Sequence, residues 1–227
     1  MKKLYKKETF KSRDEWLKAR SFGGSSASAI LDANPYLSKM ELLKACSNPQ
    51  YQKKDTNKNS AMQYGIDCEN LIRKMFALDF EDKYTVKAPK NYEMYRRIDK
   101  PYLSATLDGI LIDKETGDKL ILEIKTHDVR NRVDAEKWVE SIPQNYFIQC
   151  LHYLLVMNDF TGVCLTAKLR YFDYSGKKRK LIKQEILYYY IYRDEQLDQL
   201  EYLEKKETEF YEEYVIKKKL PSIKLKF

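Results

Sequence analysis

The segment LSATLDGILIDKETGDKLILEIKTH, residues 103–127, limits the fold of this chain more than any other. Two apolar runs flank a turn-forming stretch, the pattern of a β-hairpin, yet the runs carry Asp108, Glu123 and Lys125. A charge placed in a buried strand is costly unless it is paired or ligated. The segment is therefore either a solvated, two-faced hairpin with a Glu–Lys pair or a site.

With the turn centred on Glu115 and Thr116, and Gly117 in a left-handed position, Asp108 falls opposite Glu123, Ile110 opposite Ile121 and Thr106 opposite Lys125. Opposed residues of an antiparallel pair have Cβ atoms roughly 4.5–5.5 Å apart. Glu123 and Lys125 share one face, and Leu120, Leu122 and Ile124 take the other as core. Two opposed carboxylates repel each other. A divalent cation removes the conflict, and carboxylate oxygens with a main-chain carbonyl suit Mg2+ or Mn2+. A lysine beside them would orient a hydrolytic water or stabilise charge on a phosphoryl group.

The flanking patterns predict α+β or α/β architecture around one mixed sheet. SRDEWLKAR opens with a capping-box spacing from Ser12 to Glu15 and reads as a short helix. SFGGSSASAILDANPY is a small-residue loop running into a second helix, and SKMELLKAC is a third, closed by SNP. QYQKKDTNKNS reads as a polar surface loop, and AMQYGIDCENLIRKMFALDF has helical periodicity. Strands are expected near 83–89, 92–98, 103–112 and 119–126. IPQNYFIQCLHYLLVM is apolar nearly all round, with Pro143 at a first helical position, and predicts a buried helix. GVCLTAKLRYFD and KLIKQEILYYYIY flank a turn at Tyr174–Lys177 and read as a hairpin; a long amphipathic helix then runs to Pro221.

Composition excludes some classes. No apolar run reaches the ~18 residues of a membrane span, and the lysine-rich start MKKLYKKETFKSRDEW has no apolar stretch of a secretory signal. A soluble cytoplasmic protein with no membrane partner is expected. Cys46, Cys68, Cys150 and Cys164 are scattered and only two histidines exist, so reduced thiols are expected rather than a zinc site. The net charge of +8 permits a polyanionic partner.

Two helices add polar groups to the hairpin. Glu69 shares a helical face with Ile72, Arg73 and Phe76, which points it inward; the alternative is a surface pair with Arg73. Tyr146, Gln149 and Tyr153 form one stripe on the apolar helix, where a buried amide needs hydrogen-bond partners such as a water or a phosphate. His152 is either a polar contact made from that stripe or a satisfied buried histidine. Gly23, Gly24 and Ser25, at a helix start, offer amides and a hydroxyl to an anion, and Arg20 can add a bidentate phosphate contact; a plain Ser N-cap is the alternative.

TLDG followed by LEIKT resembles the PD-(D/E)xK nuclease motif, with Leu107 where many members have Pro. GIDCE, from Gly65 to Glu69, is similar to the helix that supplies an extra carboxylate in those nucleases, and Gln149 with Tyr153 matches the Gln-x-x-x-Tyr of RecB-type members. RSFGGSSASAILDANPY resembles the N-terminal segment of lambda-type phage exonucleases, the YqaJ recombinase family, although Ser26 and Asp32 stand where that family commonly has Asp and Gly. The resemblance covers roughly residues 13–157.

It implies a restriction-endonuclease-like core in a single domain over 1–227, with N-terminal helices over 12–48 and a C-terminal hairpin and helix over 162–220 as appendages. It further implies that Glu69, Asp108, Glu123 and the main-chain carbonyl of Ile124 gather Mg2+, with Mn2+ as substitute. Lys125 and Gln149 would place the nucleophile, while Arg20, Gly24 and Ser25 would meet a 5′-phosphate and Tyr146, Tyr153 and His152 the DNA. The implied activity is 5′-to-3′ digestion of one strand at double-stranded DNA ends by a homotrimer, with a single-strand annealing protein as partner in phage-type recombination in a bacterial host. Rival readings are a restriction-like or structure-specific endonuclease of the same superfamily and a catalytically silent DNA-binding module.

Overall fold

The computed structural model describes residues 2–47, 60–139, 141–175 and 179–219. The expected polar loop over 50–59, the hairpin apex at Gly176 and Lys177, and the helix stop at Pro221 lie outside the described residues.

A five-stranded mixed sheet carries the fold, in the order β2 (Tyr84–Lys87), β5 (Gly109–Asp113), β6 (Lys119–Val129), β7 (Gly162–Asp173) and β8 (Lys180–Tyr192). Neighbours are antiparallel except β6 and β7, which are parallel. A parallel pair needs a crossover, and α5 (Arg132–Val139) and α6 (Gln144–Val156) supply it. The β5–β6 register places Ile110 against Ile121 and Gly109 against Leu122, as the turn chemistry predicts, and Gly117 takes φ +76° in that turn.

Both faces of β6 are covered, by different partners. Leu120, Leu122 and Ile124 pack with Cys68, Ile72 and Phe76 of α4 (Ser60–Asp79). Ile121 joins the larger core of α6 and of α7 (Leu197–Phe210). Burial on both sides is what makes the charge at Glu123 exceptional.

The mixed sheet flanked by helices is as expected, and a second, three-stranded sheet of order β1-β3-β4 accompanies it. The apolar run over 103–112 is not one strand: β4 (Ser104–Ala105) pairs with β3 (Glu93–Arg97), and the chain then crosses through 106–108 into β5 of the other sheet. The expected Thr106–Lys125 pairing therefore does not form. β3 also pairs with β1 (Tyr5–Thr9), a strand hidden in a stretch too lysine-rich to signal one. Helices α1 (Arg13–Ala19), α2 (Gly24–Ile30) and α3 (Lys39–Ser47) follow. Ser12 caps α1, its hydroxyl accepting from the Glu15 amide at 3.2 Å. α2 begins within the expected loop, because its small residues let it lie close against α6. Pro143 is the residue before α6 rather than its first helical position, and its carbonyl accepts from the Tyr146 amide. The C-terminal helix is divided into a 3-10 turn (Asp194–Gln196), α7 and a π-helical turn (Tyr211–Ile216). No helix among the described residues is long and apolar enough to cross a membrane.

Candidate active site

Asp108 is the last residue before β5 pairs with β6, one step beyond Gly109–Leu122, and so lies opposite Glu123. Its carboxylate turns inward and accepts from the Ile124 amide at 2.7 Å. Glu123 is 1% exposed, on the face of β6 that meets α6. Burial and repulsion by Glu123 push the Asp108 pKa up. Burial also pushes Glu123 up, with Lys125 working in the opposite sense.

The two oxygens of Glu123 are treated differently. Oε1 accepts from the Lys125 ammonium and, at 2.7 Å, from Gln149 Nε2. Oε2 is buried with no hydrogen-bond partner. Leaving such an atom bare is expensive, and a bare, hard carboxylate oxygen beside a second, half-buried carboxylate is the donor chemistry of a Mg2+ or Mn2+ ligand. Burial opposes the charge on Lys125, but the adjacent Glu123 outweighs it and raises the pKa, so the ammonium stays protonated.

α6 supplies the second wall. Gln149 spends its amide protons on Glu123 and on the Tyr153 hydroxyl, at 2.6 Å. Tyr146 offers its ring to Lys125, whose Nζ lies 5.4 Å from the centroid. The expected stripe thus faces the site, but Tyr153 is buried as a support for Gln149 rather than open to DNA. α2 leans on the same stripe: a Cβ at Gly24 would lie 2.4 Å from Gln149 Cγ and 3.1 Å from Tyr153 Cε1. Only a glycine permits that approach.

Ser25 is exposed on the first turn of α2, beside this stripe. It is not the cap: Gly23 holds that position, and the Ser26 hydroxyl accepts from its amide. Arg20 follows α1, with its guanidinium 4.7 Å from the Trp16 ring centroid, close to Gly23 and without a carboxylate partner among the described residues. The fold thus brings Arg20, Gly24 and Ser25 to the Gln149 side of the carboxylates.

Two expectations need correction. Glu69 does not point inward alone: its carboxylate accepts from Arg73 Nη1 at 3.1 Å, the surface pair, and that nitrogen also donates to the Asp108 carbonyl at 2.6 Å. Among the described residues no three His, Cys, Asp or Glu side chains form a group that could hold a metal. The donor set on hand is therefore Asp108 with Glu123, and Glu69 bears on both only through its charge. His152 is fully buried and contacts no solvent-facing groove; it bonds Glu207 of α7 through Nδ1 at 2.7 Å and the Ser104 carbonyl through Nε2 at 2.9 Å. A carbonyl only accepts, so Nε2 carries a proton.

Arg73, which the sequence offers as the surface partner of Glu69, also ties α4 to the Asp108 backbone, a contact that sequence spacing does not signal. His127 follows Glu123 and Lys125 in the strand alternation and pairs with Asp134 of α5 at 3.0 Å.

A family model described as the YqaJ-like viral recombinase domain matches residues 15–163. "Uncharacterized protein YqaJ" of Bacillus subtilis (strain 168) is 28% identical over an alignment of 216 residues that covers 93% of this chain and 59% of that protein. The chain thus spans about three-fifths of the length of this curated relative. The fold is also that of LHK-Exo, an alkaline exonuclease from Laribacter hongkongensis: TM-scores are 0.53 for its complex with dAMP and 0.51 for a second crystal structure, at 17% and 18% identity, each covering 90% of this chain and 97% of the other.

Proposed function

Because this chain belongs to the YqaJ-like viral recombinase domain family, we propose that it is a metal-dependent deoxyribonuclease that digests linear double-stranded DNA from its ends, in the 5′-to-3′ direction. One observation carries the reading: two opposed carboxylates, the half-buried Asp108 and the buried Glu123, share a site with Lys125, and one Glu123 oxygen has no partner. The exonuclease likeness of the fold supports the choice of phosphodiester as substrate.

Asp108 and Glu123 would hold Mg2+, for which Mn2+ would substitute, with the Ile124 carbonyl as a further oxygen donor. The cation would supply Lewis-acid polarisation of the scissile phosphate and acidify a water. Lys125, held against Glu123, would steady negative charge on the phosphoryl group or orient the attacking water. Gln149 locks the orientation of Glu123, and its own carbonyl oxygen is left to accept from the attacking water. Arg20 and Ser25, at the Gln149 side, would meet the terminal 5′-phosphate. A homotrimer, a single-strand annealing partner and phage-type recombination in the bacterial cytoplasm complete the proposal on family grounds.

The test uses linear duplexes labelled at either end, with and without 5′-phosphate, and a covalently closed circle, all in Mg2+. Nucleotide release from the linear duplexes alone, lost on chelation and in Asp108→Ala, is expected. Cleavage of the circle would overturn the exonuclease reading, and no cleavage of either substrate would overturn the nuclease reading.

A further inference from the structure

The two neighbours of Asp108, Leu107 and Gly109, line a cavity of about 380 Å³ between the two sheets. Its other walls are Lys7, Lys87, Ala88, Pro89, Lys90, Glu93, Tyr95 and Ile110. The floor is already satisfied. Buried Glu93 accepts from Tyr95 at 2.5 Å and pairs with Lys7 at 2.7 Å. The rim is not: Lys87 and Lys90 are exposed and form no ion pair among the described residues. Lys90 is presented by a tight turn in which Tyr92 takes φ +56° and the Glu93 amide donates to the Lys90 carbonyl. Apolar wall, by contrast, comes from Leu107, Ile110 and Pro89.

A second cavity, about 640 Å³, lies at the other end of the sheet around Lys83, Asp113, Thr116 and Arg193 and holds none of the site residues. Its Lys, Arg, Asp and Glu side chains mix both signs, so it favours no one charge. The smaller cavity is one-sided: its only carboxylate is neutralised within the wall, which leaves two free cations above an apolar surface. That is the chemistry of one nucleotide unit, with sugar and base on apolar wall and phosphate on ammonium groups.

We infer that this cavity is a nucleotide subsite, where Lys87 and Lys90 take the phosphate of the DNA unit next to the one bound at Asp108. The inference rests on the nuclease reading of the carboxylate site and adds to it the path of the strand, out between the two sheets along Leu107.

Duplex binding without catalysis separates the two. Affinity of the full chain for a fluorescein-labelled linear duplex is measured by anisotropy in EDTA across a salt series. Each phosphate contact contributes about 0.9 to the slope of log affinity against log salt. The Lys87→Ala/Lys90→Ala variant is expected to lose about 0.9, for the one phosphate that the two lysines share, while Lys87→Arg/Lys90→Arg keeps the wild-type slope. Lys114→Ala/Lys205→Ala, equal in charge lost but distant from the cavity, is also expected to keep it. A wild-type slope in the Lys87→Ala/Lys90→Ala variant, or an equal fall in the distant pair, overturns the subsite and leaves the nuclease reading standing. Failure of the wild type to bind duplex at all overturns the subsite, and the nuclease reading is then decided by release from linear duplex in Mg2+.

Discussion

Gln149 on α6 holds Glu123 on β6 through a 2.7 Å hydrogen bond from Nε2 to Oε1, although 26 residues separate them. The bond decides which Glu123 oxygen is free. With Lys125 also on Oε1, Oε2 is the one left to a ligand.

Gln149→Ala is therefore expected to loosen Glu123 without removing it. Groups that orient a metal ligand typically contribute 10- to 100-fold in metal affinity or activity. The expected result is a fall of about that size in nucleotide release, partly recovered by raising Mg2+. Gln149→Glu, which sets a third carboxylate against Glu123, should do worse than Gln149→Ala; equal rates for the two would count against the assignment.

Gly24→Ala acts on the same bond from the other side. A Cβ placed 2.4 Å from Gln149 Cγ must move the amide or push α2 away from α6. Overpacking of this kind costs about 1–3 kcal/mol, readable as a lower urea midpoint. Activity should fall with it, because the displaced group is Gln149.

Asp108→Asn is expected to separate stability from function. It removes a like-charge opposition that destabilises by up to about 1 kcal/mol, while the amide oxygen still accepts from Ile124. Metal-free protein should then melt higher, by roughly 2–4 °C for a chain of this size. Mg2+ should raise the wild-type melting temperature, by an amount equivalent to about 2.7 kcal/mol at a hundredfold excess over Kd, and should leave Asp108→Asn unmoved. A variant that is both less stable and still shifted by Mg2+ would contradict the site.

His152 and Glu207 predict a pH-dependent stability. Burial favours neutral His152, but Glu207 outweighs it and raises the pKa above the usual imidazole value. The pair's contribution is fully present below the unfolded value of about 6.5 and is lost as pH rises through the higher folded value. His152→Ala leaves buried Glu207 uncompensated, which costs about 3–5 kcal/mol. His152→Leu/Glu207→Leu should recover most of that, and its stability should fall less steeply than the wild type's between about pH 6.5 and the folded value. Parallel curves from denaturant titrations across pH would exclude the pair as the source.

The sequence by itself determined the centre of the site. Turn chemistry at Gly117 set the β5–β6 register, and strand alternation then placed Asp108 opposite Glu123 with Lys125 two positions on; both are local properties of the chain. The helical stripe of Tyr146, Gln149 and Tyr153 was legible for the same reason. Tertiary structure decided the rest. The break at 106–108 has no local signal, because each half of that apolar run suits a strand and only the available partners, β3 and β6, divide them between sheets. β1 is a strand only because β3 offers it an edge. Glu69 lies on the face the periodicity assigns, yet the Asp108 carbonyl draws Arg73 across and the carboxylate follows. His152 is buried with both ring nitrogens occupied because Ser104 and Glu207, distant in sequence, meet them there.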